Sequence, residues 1–89
     1  MTTIMYYFTD KGFDNVRSKY KYLIGKEYYF SSVNKKEKLL DIQKRPAIEN
    51  GFHIFFISDT NRECYIYDFM EFNDIDYRFE DYETISTVL

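Results

Sequence analysis

The stretch Phe52–Glu83 constrains the fold more than any other part of this 89-residue sequence. It opens with the apolar run Phe52–Ile57, and a run that is hydrophobic on both faces predicts a strand at the centre of a sheet. Asp59–Arg62 predicts a turn that returns the chain as a hairpin through Glu63–Met70. Along Asn73–Glu80 polar and apolar residues alternate, which predicts a further strand with one charged face.

The N-terminal part of the chain predicts the principal helix. The apolar side chains recur at helical spacing. They are followed by Gly25, a glycine placed where a helix would end in a left-handed conformation. Thr9 or Asp10 is placed to cap the N-terminus, so the helix covers about residues 10–24. The apolar positions are Phe13, Val16, Tyr20, Leu23 and Ile24.

The other segments predict further strands. Thr2–Phe8 and Lys26–Val33 are rich in β-branched or aromatic residues, which favours strands. Glu37–Lys44 contains good helix formers but follows a polar turn at residues 34–36; we favour a strand and leave a helix open. Arg45-Pro46 predicts a break in the preceding element, and residues 49–51 predict another turn. The tail from Tyr82 is either a short strand or a tether.

These elements predict an α+β fold. We expect a mainly antiparallel sheet of four to six strands with the principal helix packed on one face. The composition, 45% hydrophobic and 30% charged, is that of a folded chain, and its single proline leaves no linker that would divide it. Residues 1–89 are therefore expected to form a single compact domain.

Charge is divided unevenly along the chain. Residues 1–58 carry ten basic and six acidic side chains, a net charge of +4, whereas residues 59–89 carry two basic and nine acidic side chains, a net charge of −7. This division predicts one basic and one acidic surface, which bears on partners rather than on fold.

The residue types that carry most enzyme chemistry are scarce. The chain has one histidine, His53, and one cysteine, Cys64, both within apolar segments where packed side chains are the usual outcome. Two such ligands cannot close a zinc site, the acidic residues lack the glycine and spacing of a calcium loop, and the three glycines form no phosphate-binding loop. We expect a protein that is not an enzyme and that has no catalytic residues, metal or cofactor.

The most distinctive surface combines tyrosines and carboxylates. Alternate carboxylates on a strand repeat about every 6.6–6.8 Å, a spacing that could occupy a basic channel built for a nucleic-acid backbone. A simpler interpretation is that these charges only keep a sheet edge from aggregating. The predicted partner-binding residues are Tyr65, Tyr67, Asp68, Glu71, Asp74, Asp76, Tyr77, Glu80, Asp81 and Tyr82.

Two alternatives stay open. A basic helix carrying Arg17, Lys19, Lys21 and Tyr22 could grip phosphates and stack on bases, although the overall acidity of the chain opposes direct nucleic-acid binding. A homodimer could instead form through an exposed strand.

No motif identifies a family. In size, acidity and tyrosine content the chain resembles the small proteins of bacteriophages and mobile elements that block a host enzyme, including anti-CRISPR proteins and DNA mimics. That resemblance implies a host or cognate partner protein with a basic surface, and an inhibitory or regulatory role. A single cysteine, no long apolar run and no signal-peptide pattern lead us to expect a cytoplasmic protein without a membrane partner.

Overall fold

A computed structural model describes residues 4–88, without the side chains of residues 79 and 88. Residues 4–88 form one antiparallel sheet and two helices, which confirms the α+β class. Short 3₁₀ turns occupy Lys21–Leu23 and Phe79–Asp81. The strands are β1 (Ile4–Phe8), β2 (Glu27–Phe30), β3 (Lys35–Ile48), β4 (Gly51–Ser58), β5 (Glu63–Tyr65) and β6 (Thr84–Val88). The helices are α1 (Asp10–Tyr20) and α2 (Ile66–Phe72).

The apolar strand β4 lies at the centre of the sheet, as its sequence predicts. The strand order is β2-β3-β4-β1-β6, and β5 pairs with β4. Along one side β4 pairs with β3, while its other side is shared by β1 and β5. β1 joins β4 through a single register pair, Phe8 with Phe52, whereas it pairs with β6 along its whole length.

Helix α1 confirms the predicted principal helix. Thr9 caps it by accepting a hydrogen bond from the Gly12 amide at 3.1 Å, and the 3₁₀ turn extends it to Leu23. Gly25 has a φ of 94°, the left-handed conformation that ends the segment.

Both helices pack on the same face of the sheet, and the core lies between these two layers. Val16 and Tyr20 come from α1, while Phe69 and Met70 come from α2. The Phe69 ring lies 4.3 Å from the Phe56 ring of β4, measured between centroids. Within residues 4–88, neither helix has the length and hydropathy that crossing a membrane requires.

The segment Glu37–Lys44 is a strand, as favoured, but the predicted break at Arg45-Pro46 is wrong. β3 continues to Ile48, and Pro46 pairs with Phe52 beside a shift in register. Because β2 pairs only with Lys35–Lys38, the later part of β3 has a free edge, where a missing amide hydrogen is tolerated. The predicted turn at residues 34–36 is also placed too late, by three residues at its start and two at its end, because the turn occupies residues 31–34 and β3 already begins at Lys35.

The largest correction concerns the segment that follows β5. The return strand was predicted to reach Met70 but ends at Tyr65, because Ile66, Phe69 and Met70 recur at helical spacing and are buried together as α2. The strand predicted for Asn73–Glu80 is also wrong, since residues 73–78 contain no strand. The tail contains a strand, β6, whereas residues 2, 3 and 89 of the predicted end strands lie outside the described residues.

Candidate functional site

The acidic segment comprises residues 66–83, and its carboxylates lie on the surface of the protein. Every one of its acidic side chains is exposed, and within residues 4–88 none of them forms an ion pair. The carboxylates belong to a helix, a turn, an extended segment and a 3₁₀ turn, so the regular strand spacing predicted for them is wrong. The acidic residues are Asp68, Glu71, Asp74, Asp76, Glu80, Asp81 and Glu83.

The end of α2 shows why the alternating pattern is not a strand. Asp74 has a φ of 55°, in the left-handed region that aspartate tolerates better than most residues. Its amide donates to the Glu71 carbonyl at 3.2 Å, and the Ile75 amide donates to the Met70 carbonyl at 2.9 Å. These two bonds form the Schellman motif that closes a helix C-terminus. The following residues nonetheless alternate, with Ile75 and Tyr77 half-buried and Asp74 and Asp76 exposed.

Hydrogen bonds attach this segment to the rest of the molecule at three places. At its end, the Thr9 amide donates to the Glu83 carbonyl at 3.2 Å and the Thr9 hydroxyl donates to the Glu83 carboxylate at 2.7 Å. The Asn73 side chain accepts from the Tyr29 amide at 2.8 Å and donates to the Tyr29 and Phe69 carbonyls at 2.9 Å each. It therefore binds the outer edge of β2 as a neighbouring strand would. The Tyr20 hydroxyl of α1 donates to the Asp76 carbonyl at 3.0 Å. Burial raises the pKa of Tyr20, so this hydroxyl keeps its proton at neutral pH.

The predicted tyrosine anchors are half-buried rather than fully exposed. The Tyr65 and Tyr67 rings meet edge to face with centroids 4.7 Å apart, and the Tyr77 ring lies 6.1 Å from that of Tyr67. Tyr82 packs near Phe8 at 6.4 Å. Much of each ring therefore already serves the fold.

His53 and Cys64 lie in adjacent strands, as expected, but on opposite faces of the sheet. Cys64 is opposite Phe56 in the core, where burial raises the pKa of its thiol. His53 lies on the face without helices, and its Nδ1 is 3.0 Å from the Tyr65 hydroxyl. The two side chains are therefore not placed to act as a nucleophile and its base. Among the described residues, no three His, Cys, Asp or Glu side chains converge as a metal site would require.

The basic helix residues are partly engaged inside the molecule. Arg17 forms an ion pair with Asp41 at 2.9 Å and also bonds the Ile42 carbonyl. The Lys19 ammonium lies 5.6 Å from the Tyr20 ring centroid and 5.8 Å from that of Tyr82. Lys21 and Tyr22 are exposed.

An apolar cleft opens where β1 diverges from β4. It has a volume of about 300 Å³ and is lined by Ile4, Met5, Tyr6, Tyr65 and Tyr67. Ile4 and Tyr6 are 51% and 49% exposed. Sequence reasoning identified the two tyrosines of β5 and α2 but missed the three residues of β1. The sequence signal that could have identified these three residues is that β1 is apolar on both faces, although only one face of the sheet carries helices.

Comparisons of the chain with protein-family models, with curated proteins and with solved structures find no match.

Proposed function

We propose that this protein is a small non-catalytic binding module that docks its acidic, tyrosine-bearing surface on a basic groove of a partner protein. The observation that carries the proposal is the set of exposed carboxylates in residues 66–83 that form no ion pair within residues 4–88. Unpaired like charges held close together repel one another, and a partner with complementary charge relieves that repulsion.

The segment is also suited to binding because it is anchored. Asn73 and Tyr20 attach its backbone to β2 and α1, so its carboxylates lose less freedom on binding than those of a disordered acidic tail would. A groove that normally holds a nucleic-acid backbone has the matching charge. The module would then inhibit or regulate a nucleic-acid-handling enzyme in the cytoplasm, in the manner of phage and mobile-element proteins that act on their hosts.

Displacement of DNA from a polycation tests this proposal. A fluorescent DNA duplex is bound to protamine, and the protein is titrated in at low and at moderate salt. We expect displacement that weakens as salt rises. The double variant Asp74→Lys, Asp76→Lys should need roughly ten times more protein at low salt, because it reverses two neighbouring carboxylates.

The matched control is Asp14→Lys with Glu49→Lys, which changes the net charge equally at two exposed residues outside the segment. If both variants lose activity to the same degree, net charge rather than the segment is responsible. No displacement by the unmodified protein would reject the proposed function.

Direct nucleic-acid binding is the second candidate, and the exposure of Tyr22 favours it. Its ring is 59% exposed, beside Lys21 and with the Lys26 ammonium 5.6 Å from its centroid. Such a pair could stack on a base and contact a phosphate. A gel shift with short single- and double-stranded DNA and RNA separates the candidates, because the acidic-surface proposal expects no shifted band.

A homodimer stays a prediction, and β6 is the strand through which it would form. β6 ends the sheet order, and its sequence TISTV has no charge and no proline to discourage pairing with another edge. Sedimentation over a range of concentrations measures this directly.

A further inference from the structure

The strand topology creates the cleft between β1 and β5. Both strands lie on the same side of β4, with β5 beside Phe55–Ile57 and β1 in register only at Phe52. The N-terminal part of β1 pairs with β6 instead and leaves β4. The space between Ile4–Tyr6 and the Tyr65–Tyr67 turn is therefore not closed by backbone pairing.

The walls of the cleft are apolar. The cleft is lined by Ile4, Met5 and three tyrosines, and no other residue of the described part of the chain lines it. A volume of about 300 Å³ is at the lower limit for small-molecule pockets. It is instead a suitable size for one large side chain, the kind of pocket in which aromatic or aliphatic anchors of protein interfaces are buried.

Two carboxylates lie on α2, the helix that supplies Tyr67 to this cleft. Asp68 directly follows Tyr67 in α2, and Glu71 lies one turn further along the same helix. Both carboxylates are exposed, and neither forms an ion pair within residues 4–88. The Asp68 charge also acts on the Tyr65 hydroxyl, where it raises the pKa together with the larger effect of burial. Asp68 is thus the direct sequence neighbour of a residue that lines the cleft.

We propose that this cleft takes a Phe- or Leu-like side chain from a basic partner segment, with the partner's flanking Lys or Arg residues pairing with Asp68 and Glu71. The inference rests on the proposed function and adds the anchor that the charges alone do not supply. An apolar anchor surrounded by complementary charge resists salt better than charge alone does.

Two peptides test the anchor, KKFKK and KKAKK, each acetylated and amidated. They are titrated into the isotopically labelled full-length chain, and amide chemical shifts are recorded. We expect KKFKK to bind about tenfold more tightly, because only it places a large apolar side chain in the cleft. The amides of residues 4–6 and 65–68 should shift most.

The variant Tyr6→Ala removes one wall of the cleft and should abolish the preference for KKFKK. Tyr22→Ala is the matched control, because Tyr22 is also an exposed tyrosine, at 59%, and lies away from the cleft lining. It should keep the preference.

The outcomes separate the two proposals. Equal, salt-sensitive binding of both peptides would overturn the cleft assignment and leave the proposed function standing. Binding of neither peptide would contradict the proposed function itself. If the same amides shift on concentrating the protein alone, a second copy fills the cleft, and the basic-segment assignment is overturned.

Discussion

The cations that bridge two elements of the fold and the carboxylates of the acidic segment are used in opposite ways. The four ion pairs within residues 4–88 all lie outside residues 66–83. Arg17, Lys44 and Arg45 each bind a carboxylate from a different element, and Lys44 and Arg45 also lie over aromatic rings. The acidic segment holds more charge per residue and pairs none of it internally.

This difference indicates which charges support the fold and which are available to a partner. Arg17, Lys44 and Arg45 connect α1 and β5 to β3, so replacing them should lower stability. The carboxylates of residues 66–83 form no ion pair within residues 4–88, so the segment is held by apolar packing and by the hydrogen bonds of Asn73, Tyr20 and Thr9. The comparison is therefore tested by substituting, in separate variants, the residues that stabilise the fold and the carboxylates of the acidic segment.

The largest effect is expected from Phe69→Ala. Phe69 is fully buried, and its ring contacts those of Phe30, Phe56 and Tyr28. Its removal should lower the free energy of unfolding by about 3–5 kcal/mol, from lost burial and the cavity left behind. Urea denaturation measures this value. Phe72→Ala, at a 57% exposed position on the same helix, should cost less than about 1 kcal/mol. Similar losses in the two variants would mean that α2 is not held by its buried face.

Asn73→Ala should have the next largest effect. It removes three hydrogen bonds, two of them to the edge of β2. Because each bond contributes a net 0.5–1.5 kcal/mol, the free energy of unfolding should fall by about 2 kcal/mol. Amide exchange at Tyr29 should also accelerate. The control is Asn15→Ala, an exposed position of α1 with no side-chain hydrogen bond within the described residues. Unchanged exchange at Tyr29 would contradict the role given to Asn73.

Arg17→Gln should destabilise the protein by less than about 1 kcal/mol at neutral pH, as expected for a partly exposed ion pair. Burial alone would raise the pKa of Asp41, but hydrogen bonds from Arg17, Ile42 and Gln43 hold it below its ordinary value. A lowered folded-state pKa gives stability that is complete above the unfolded value and disappears as the pH falls through the folded value.

The difference between Arg17→Gln and the unmodified chain should therefore shrink as the pH falls below Asp41's ordinary value of 3.8. Urea denaturation at several pH values measures it. Lys21→Gln, at an exposed lysine that forms no ion pair within residues 4–88, should show no such trend. A difference that persists in acid would show that Arg17 acts through packing rather than through Asp41.

The smallest effect on stability is expected from Asp74→Asn with Asp76→Asn. Both side chains are exposed and unpaired within the described residues, and asparagine also tolerates the left-handed conformation at position 74. The free energy of unfolding should change by no more than about 0.5 kcal/mol. A loss well above that in urea denaturation would show that the carboxylates support the fold, and the comparison would fail.

Local signals in the sequence predicted much of the fold. Helix α1 follows from its apolar spacing, Thr9 and Gly25, because caps and left-handed termini are decided by neighbouring residues. The central position of β4 follows from a run without a polar face. The inward and outward alternation along residues 73–78 was also predicted correctly, although the backbone does not pair there.

The candidate site was predicted only in part. The exposure of the acidic residues follows from their charge, and all of those predicted as partner-binding are exposed. The burial of half of each tyrosine anchor could not be predicted, because it depends on which rings come together across the sheet. The role of Arg17 was missed for the same reason, since its partner Asp41 is distant in sequence.

By itself, the sequence determined the α+β class, the principal helix, the central strand and the division of charge, because periodicity, capping and solvation act over a few residues. The local pattern left Ile66–Phe72 ambiguous, because Tyr65 and Tyr67 alternate as in a strand while Ile66, Phe69 and Met70 recur at helical spacing. The tertiary structure decided for the helix by burying those three residues in the core. It also decided that Pro46 lies within a strand, because only the short pairing of β2 leaves that edge free. The cleft also depends on the tertiary structure. β1 and β5 lie on the same side of β4, and no local sequence pattern predicts which strand pairs with which part of that side.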